Sequence, residues 1–131
     1  MRRLLPLVLL AAGGCDAGRA DDGICPTVYV THSVRVVDEA GEPLTDLTAR
    51  SVIVETGKVL PDDPGAGDRR ASGAYPVASD LHRRLFDRHG TAVRFEAEGV
   101  DHVATALYVF APGECNVSRL SGPDEVVARS R

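Results

Sequence analysis

Tryptophan is absent from these 131 residues, and the whole aromatic set is three tyrosines and three phenylalanines. So few rings disfavour a carbohydrate platform built from stacked aromatics. Long apolar runs are missing as well. The early stretch at residues 4–10 is interrupted by Pro6 and falls far short of the roughly 17–25 residues a membrane-spanning helix needs. No Gly-x-Ser-x-Gly turn presents a nucleophilic serine, and no glycine-rich loop precedes a helix to cradle phosphate. No Cys-x-x-Cys or paired His-Cys spacing marks a zinc site. The acidic pairs Asp21-Asp22 and Asp62-Asp63 lack the Asp-x-Asp-x-Asp-Gly spacing of a dedicated calcium loop and read as solvated carboxylates. These gaps leave no enzyme class with a readable local signature, no metal and no cofactor to expect.

The first residues carry an address. Arg2 and Arg3 form a short basic segment, Leu4 to Leu10 an apolar one, and Ala11, Ala12, Gly13 and Gly14 supply small residues. That order is what a secretory signal requires. Cys15 follows at once, and the arrangement resembles the lipobox of bacterial lipoproteins, with Ala12 where leucine is usual. The resemblance implies cleavage before Cys15 and acylation on it. The chain would then be lipid-anchored in the bacterial cell envelope, on the periplasmic side of the inner or outer membrane or at the cell surface. Ordinary signal cleavage after Gly14, leaving Cys15 a free thiol, is the alternative.

Cysteine parity bears on the same point. There are three cysteines, Cys15, Cys25 and Cys115, and an odd count in an exported chain needs an explanation. If Cys15 is acylated, one pairing remains, Cys25 with Cys115, in a compartment that permits disulfides. Two buried free thiols are the alternative. Removing residues 1–14 takes away two of the 15 basic residues and none of the 19 acidic ones, so the remaining chain carries a net charge of −6. That balance argues against nucleic acid as a partner.

Residues 15–24 are polar and rich in Gly and Ala, which suits a flexible tether. Beyond them, period-two alternation dominates. Val28, Val30, Val34 and Val36 share one face of a first strand, and Ser51 to Thr56 make a second. Residues 58–72 hold almost no apolar material and read as a long exposed loop. Gly73 to Val77, containing Pro76, suits an edge strand. Residues 79–89 are the one helical candidate, with Ser79 or Asp80 as cap and Leu81, Leu85 and Phe86 facing inward. Thr91 to Glu98, Val103 to Phe110 and Asn116 to Leu120 give three more strands, and residues 121–131 add a strand through Val126 and Val127 or fray. Short strands between turn signals point to an all-β domain of about seven strands over residues 25–120, a sandwich or partial barrel.

The side chains able to do chemistry are scattered. His32 falls on the apolar face of the first strand, where a hydrogen-bonded core histidine is the usual outcome. His82 and His89 read as exposed helical histidines, and His102 as a solvated turn residue. Arg69, Arg70, Arg83, Arg84 and Arg88 reverse the acidic balance locally. They read either as a solvated face paired with Asp80 and Asp87 or as a basic docking patch for lipid phosphates or an acidic partner.

Several short segments together resemble the carboxypeptidase regulatory-like, or transthyretin-like, sandwich domain found in bacterial envelope lipoproteins. They are Val34 to Asp38, Gly41 to Leu44, Ser51 to Val54, Gly73 to Tyr75, Phe95 to Val100 and Cys115 to Val117. The resemblance implies a Greek-key β-sandwich that binds or spaces and is not itself an enzyme. The expected function is therefore a non-catalytic binding or scaffolding module on a lipid anchor, with an envelope protein as partner. The alternatives are a structural lipoprotein subunit of a secretion or envelope complex and, last, a small metal-dependent hydrolase.

Overall fold

The structure, a computed structural model, describes Cys25 and residues 28–66 and 69–131. The signal, Cys15, the 16–23 tether and the Asp21-Asp22 pair lie outside the described residues. The chain is an all-β sandwich of eight strands: β1 Thr31–Val37, β2 Thr48–Ile53, β3 Ala74–Ser79, β4 Thr91–Glu98, β5 His102–Pro112, β6 Val117–Ser121, β7 Glu125–Val127 and β8 Arg129–Ser130. One sheet runs β3-β1-β7, and the other runs β2-β4-β5-β6 with β8 also paired to β5.

Alternation decides the strands because one face of each sheet must be dry. In β4, Val93, Phe95 and Ala97 are buried, while Arg94, Glu96 and Glu98 face outward. They pair in register with β5 from Thr91–Phe110 through Glu98–Val103. β5 is central, flanked by β4 on one edge and by β6 and β8 on the other. Pro76 sits on β3, an edge strand, where its missing N–H costs no ladder bond.

Between the sheets lies a core that contains five of the six aromatic side chains. Phe110 is fully buried, with Phe86 and Tyr108 stacked on it at ring-centroid distances of 5.5 and 5.6 Å. Tyr75 packs by Phe95, donates its hydroxyl proton to the Leu44 carbonyl at 2.7 Å and accepts the Leu47 N–H at 3.2 Å. It thereby holds the β1–β2 connection onto the core.

The last residues stitch the two sheets together. From β6 in the larger sheet the chain crosses to β7, which pairs parallel to β1, and then returns to pair β8 with the start of β5. The crossing turns at Gly122, whose φ is +131° and whose Cα faces the Tyr108 ring so closely that a Cβ would lie 2.1 Å from Cδ1. Only glycine suits both demands.

Three segments depart from the sequence reading. β1 begins at Thr31, so Val28 and Tyr29 precede the ladder and are exposed. β2 occupies Thr48–Ile53 in place of residues 51–56, because Gly57, with φ +72°, turns the chain back so that Ile53 bonds Lys58 and Leu60 bonds Ser51. The 58–72 loop is therefore not wholly exposed: Leu60 is in the core. The third departure is the helix. Residues Asp80–Leu85 form a 3-10 helix, not an α-helix. With three residues per turn, His82 and Leu85 share the inner face, and Leu81 and Arg84 share the outer one. Leu81, expected inside on an α-helical period, is 51% exposed, and His82, expected outside, is 4% exposed.

Candidate functional site at one end of the sandwich

The β-strands fix a polar junction at the end where β1 starts, β3 and β5 finish and β4 and β6 begin. Asp80 is its hub. One carboxylate oxygen accepts the Val117 N–H at 2.8 Å, and the other accepts the Val30 N–H at 2.9 Å and the Asn116 amide at 2.6 Å. Burial pushes the Asp80 carboxyl up, but these donors outweigh it and hold the group below the ordinary carboxylate range. Asn116 also donates to the Val28 carbonyl at 2.9 Å. Arg83 donates to the carbonyls of Gly113 and Glu114 at 2.5 and 3.2 Å, while its Nε is buried with no hydrogen-bond partner among the described residues. Beside these groups Cys25 and Cys115 are joined in a disulfide, their Cα atoms 5.2 Å apart, within the range such a bridge requires.

A second cluster gathers Tyr29, Asp63, Ser79 and His82. Tyr29 and Ser79 both donate their hydroxyl protons to Asp63, and the Gly65 N–H adds a bond at 2.8 Å. Burial raises the Asp63 pKa, and the Ser79, Tyr29 and Gly65 donors bring it below the usual value. Burial and the Asp63 partner raise that of Tyr29. Asp63 is thus not the free solvated carboxylate its loop sequence suggests.

Serine, histidine and aspartate here lie within reach of one another without forming a nucleophilic relay. His82 Nδ1 accepts the Ser79 backbone N–H at 3.0 Å, so the ring proton sits on Nε2 and is donated to the Pro61 carbonyl at 2.7 Å. Both ring nitrogens are occupied by backbone, and the Ser79 hydroxyl proton goes to Asp63. A general base must have a nitrogen free to take the nucleophile's proton. What the cluster does is pin the 58–72 loop: His82 holds Pro61, and Asp63 joins Tyr29 to Ser79.

The remaining histidines do not converge. His32 Nε2 lies 2.7 Å from the Val117 carbonyl with its ring tilted on Phe110, His89 is exposed, and His102 opens β5 at the opposite end. Among the described residues no three His, Cys, Asp or Glu side chains gather as a metal ion would require.

The five arginines singled out in the sequence fall into three settings. Arg69 borders a shallow groove of about 390 Å³ with Tyr29, Thr31 and Ser33, and Arg70 lines a narrower cleft with Asp62 and Asp63. Arg83 is engaged with carbonyls. Arg84 and Arg88 are exposed on the β3–β4 connection. The pairing with Asp80 and Asp87 does not form. Asp80 faces backbone and Asn116, and Asp87 accepts the His89 N–H at 2.8 Å. The Asp80 network was missed in the sequence; its only local signal is an acidic residue directly after a candidate cap, and its partners lie 36 to 50 positions away.

On the outer face of the larger sheet, Arg50 and Arg94 both bind Glu96, at 2.8 and 2.7 Å. These two arginines hold the Glu96 carboxyl below its ordinary range. A groove of about 420 Å³ runs beside them over Thr48, Glu98 and Val103. Leu107 and Leu120 are exposed farther along the same sheet. No family model, no curated protein sequence and no solved structure matches the chain.

Proposed function

We propose that the chain is a bacterial envelope lipoprotein, held by acyl chains on Cys15, whose sandwich is a non-catalytic binding or scaffolding module. The observation that supports the reading most directly is the Cys25–Cys115 pairing, which leaves Cys15 as the one cysteine outside the domain. It stands directly after a basic, apolar and small-residue signal pattern, ten positions before the bridge. A tether of that length raises the local concentration of the module toward membrane-bound partners. The non-catalytic reading draws support from His82, whose two nitrogens are both committed to backbone. The carboxypeptidase regulatory-like assignment rests on the sequence segments quoted above and is proposed on them.

Intact-mass measurement on protein extracted from membranes tests the anchor. The expected product begins at Cys15, carries two or three acyl chains, and has its other two cysteines two hydrogens short. A soluble product without lipid mass refutes the anchor. A second reading, a structural subunit of a secretion or envelope complex, is favoured by the exposed Leu107 and Leu120 on the outer sheet face. Under that reading the protein co-purifies in mild detergent with a large assembly, whereas a monodisperse monomer argues against it.

A further inference from the structure

The end of the sandwich carrying the disulfide differs from the rest of the surface. Five of the six aromatic residues are buried, and the sixth, Tyr29, is 48% exposed there. Leu81 donates its backbone N–H to the Tyr29 hydroxyl at 3.2 Å, so these two exposed residues belong to one part of the surface, and the exposed Val28 precedes Tyr29. On the 3-10 helix Arg84 follows Leu81 by one turn and shares its outward face, with Arg88 just beyond. Arg35, Arg50, Arg94, Arg119 and Arg131 are all in ion pairs, but Arg84 and Arg88 have no ion pair or side-chain hydrogen bond among the described residues. The opposite end presents Asp38, Glu39, Glu42 and Asp101 on its turns beside exposed Arg129, and the disulfide end has exposed Glu55, Asp87 and Glu114 of its own.

We infer that this end of the domain seats on an anionic lipid bilayer, with Val28, Tyr29 and Leu81 entering the headgroup boundary and Arg84 and Arg88 meeting lipid phosphates. The inference rests on the lipid-anchor reading. The described domain begins at Cys25, at this end, and Cys15 lies ten positions before it, a reach of at most about 35 Å. The surface nearest the membrane therefore brings two unpaired arginines together with exposed apolar groups and the one exposed aromatic of the described residues, the chemistry of an interfacial contact. Both ends carry acidic side chains, so the seating is set by the tether at Cys25 and by the apolar and aromatic side chains, with Arg84 and Arg88 adding attraction to anionic lipid. Seated this way, the outer sheet faces stay open to a partner.

Because the chain has no tryptophan, a single introduced one reports its own position. Leu81→Trp places the probe in the patch, and Val100→Trp, at a residue 86% exposed in the β4–β5 turn, places it at the far end. Each full-length variant is purified with its lipid, checked by intact mass, and reconstituted in vesicles of phosphatidylcholine with or without phosphatidylglycerol, containing brominated lipid as quencher. The expected result is quenching of Leu81→Trp in anionic vesicles, weaker in neutral ones or at high salt, with Val100→Trp unquenched. Equal quenching of the two probes, or none at Leu81→Trp in lipidated protein, overturns the inference and leaves the anchor standing. A Cys15→Ser chain separates the two ideas further. Added anionic vesicles are expected to bind it weakly, and Arg84→Gln with Arg88→Gln to reduce that partitioning roughly 30-fold, from about fivefold per cation. If the native chain proves unlipidated yet these vesicles still quench Leu81→Trp, the anchor fails and the seating survives.

Discussion

Replacing Asp80 by asparagine tests whether one carboxylate organises the disulfide end. Three donors converge on Asp80 at 2.6 to 2.9 Å, from two backbone amides and the Asn116 side chain. Asn keeps the shape, removes the charge, and turns one acceptor into a donor that confronts an N–H. Hydrogen bonds to a charged group contribute about 1.5–3 kcal/mol each, and partial exposure of Asp80 reduces their sum. We expect Asp80→Asn to lower unfolding free energy by about 2–3 kcal/mol at pH 7, and Asp80→Ala by about 3–4 kcal/mol. The sign of the pH dependence follows from the lowered folded-state pKa. A carboxyl with a depressed pKa contributes stability that is complete above its unfolded value, near 3.9, and is lost as pH falls through the folded one. The gap between parent and Asp80→Asn, measured by urea unfolding from pH 8 to pH 2.5, is therefore constant above about pH 5 and closes below about pH 4. Asp63 and Glu96 shift in the same direction, so the parent loses more stability in acid than this gap alone. A variant within about 0.5 kcal/mol of the parent at pH 7, or a gap unchanged at pH 2.5, refutes the role given to Asp80.

Replacing both Cys25 and Cys115 by alanine frees a loop of sequence separation 90 and is expected to cost about 4–5 kcal/mol, read from the urea midpoint. An unchanged midpoint rules the bridge out as a stabilising cross-link. Tyr75→Phe strands the Leu47 N–H and the Leu44 carbonyl, so a loss of about 1–3 kcal/mol and faster amide exchange at Leu47 are expected; unaltered exchange there contradicts the hydrogen-bond assignment. Gly122→Ala drives a methyl into the buried Tyr108 ring at positive φ and is expected to cost about 3 kcal/mol or more, with loss of tyrosine near-UV dichroism. Native-like dichroism at parental stability would falsify the tight crossing.

Much of the sandwich was legible because a half-buried strand writes its period into the chain. Thr91–Glu98 matches its expected bounds because apolar and charged residues alternate without interruption, and β5 is simply longer than its most apolar part. The misreadings occur where the period is short or where side chains bond to remote backbone. Six residues of 3-10 helix carry only two turns, too few to separate a repeat of three from one near four, and the choice reversed Leu81 and His82. His82 is apolar enough to bury once both nitrogens find backbone partners, a condition set by Pro61, 21 positions away. Val28 and Val30 fit the alternation of β1, yet among the described residues no strand pairs with them, because β3 ends opposite Thr31. Of the arginine patch, residue type was readable and setting was not: Arg83 differs from Arg84 only in facing the β5–β6 turn.

The stitching of the sheets by the final residues has a consequence for the order of events in folding. β1 gains its parallel neighbour only when residues 90 positions later arrive, as in the Arg35–Glu125 pair. Cys25 waits across the same distance for Cys115. Until then β1 has one bare edge, open to pairing with other chains, and the smaller sheet is only two strands wide. Contacts of such separation make closure slow, because the loop entropy is lost before the contacts reward it. A nascent chain keeps this edge of β1 bare until residues 125–127 have emerged. Its vulnerable interval ends only when residues 125–130 lock in place.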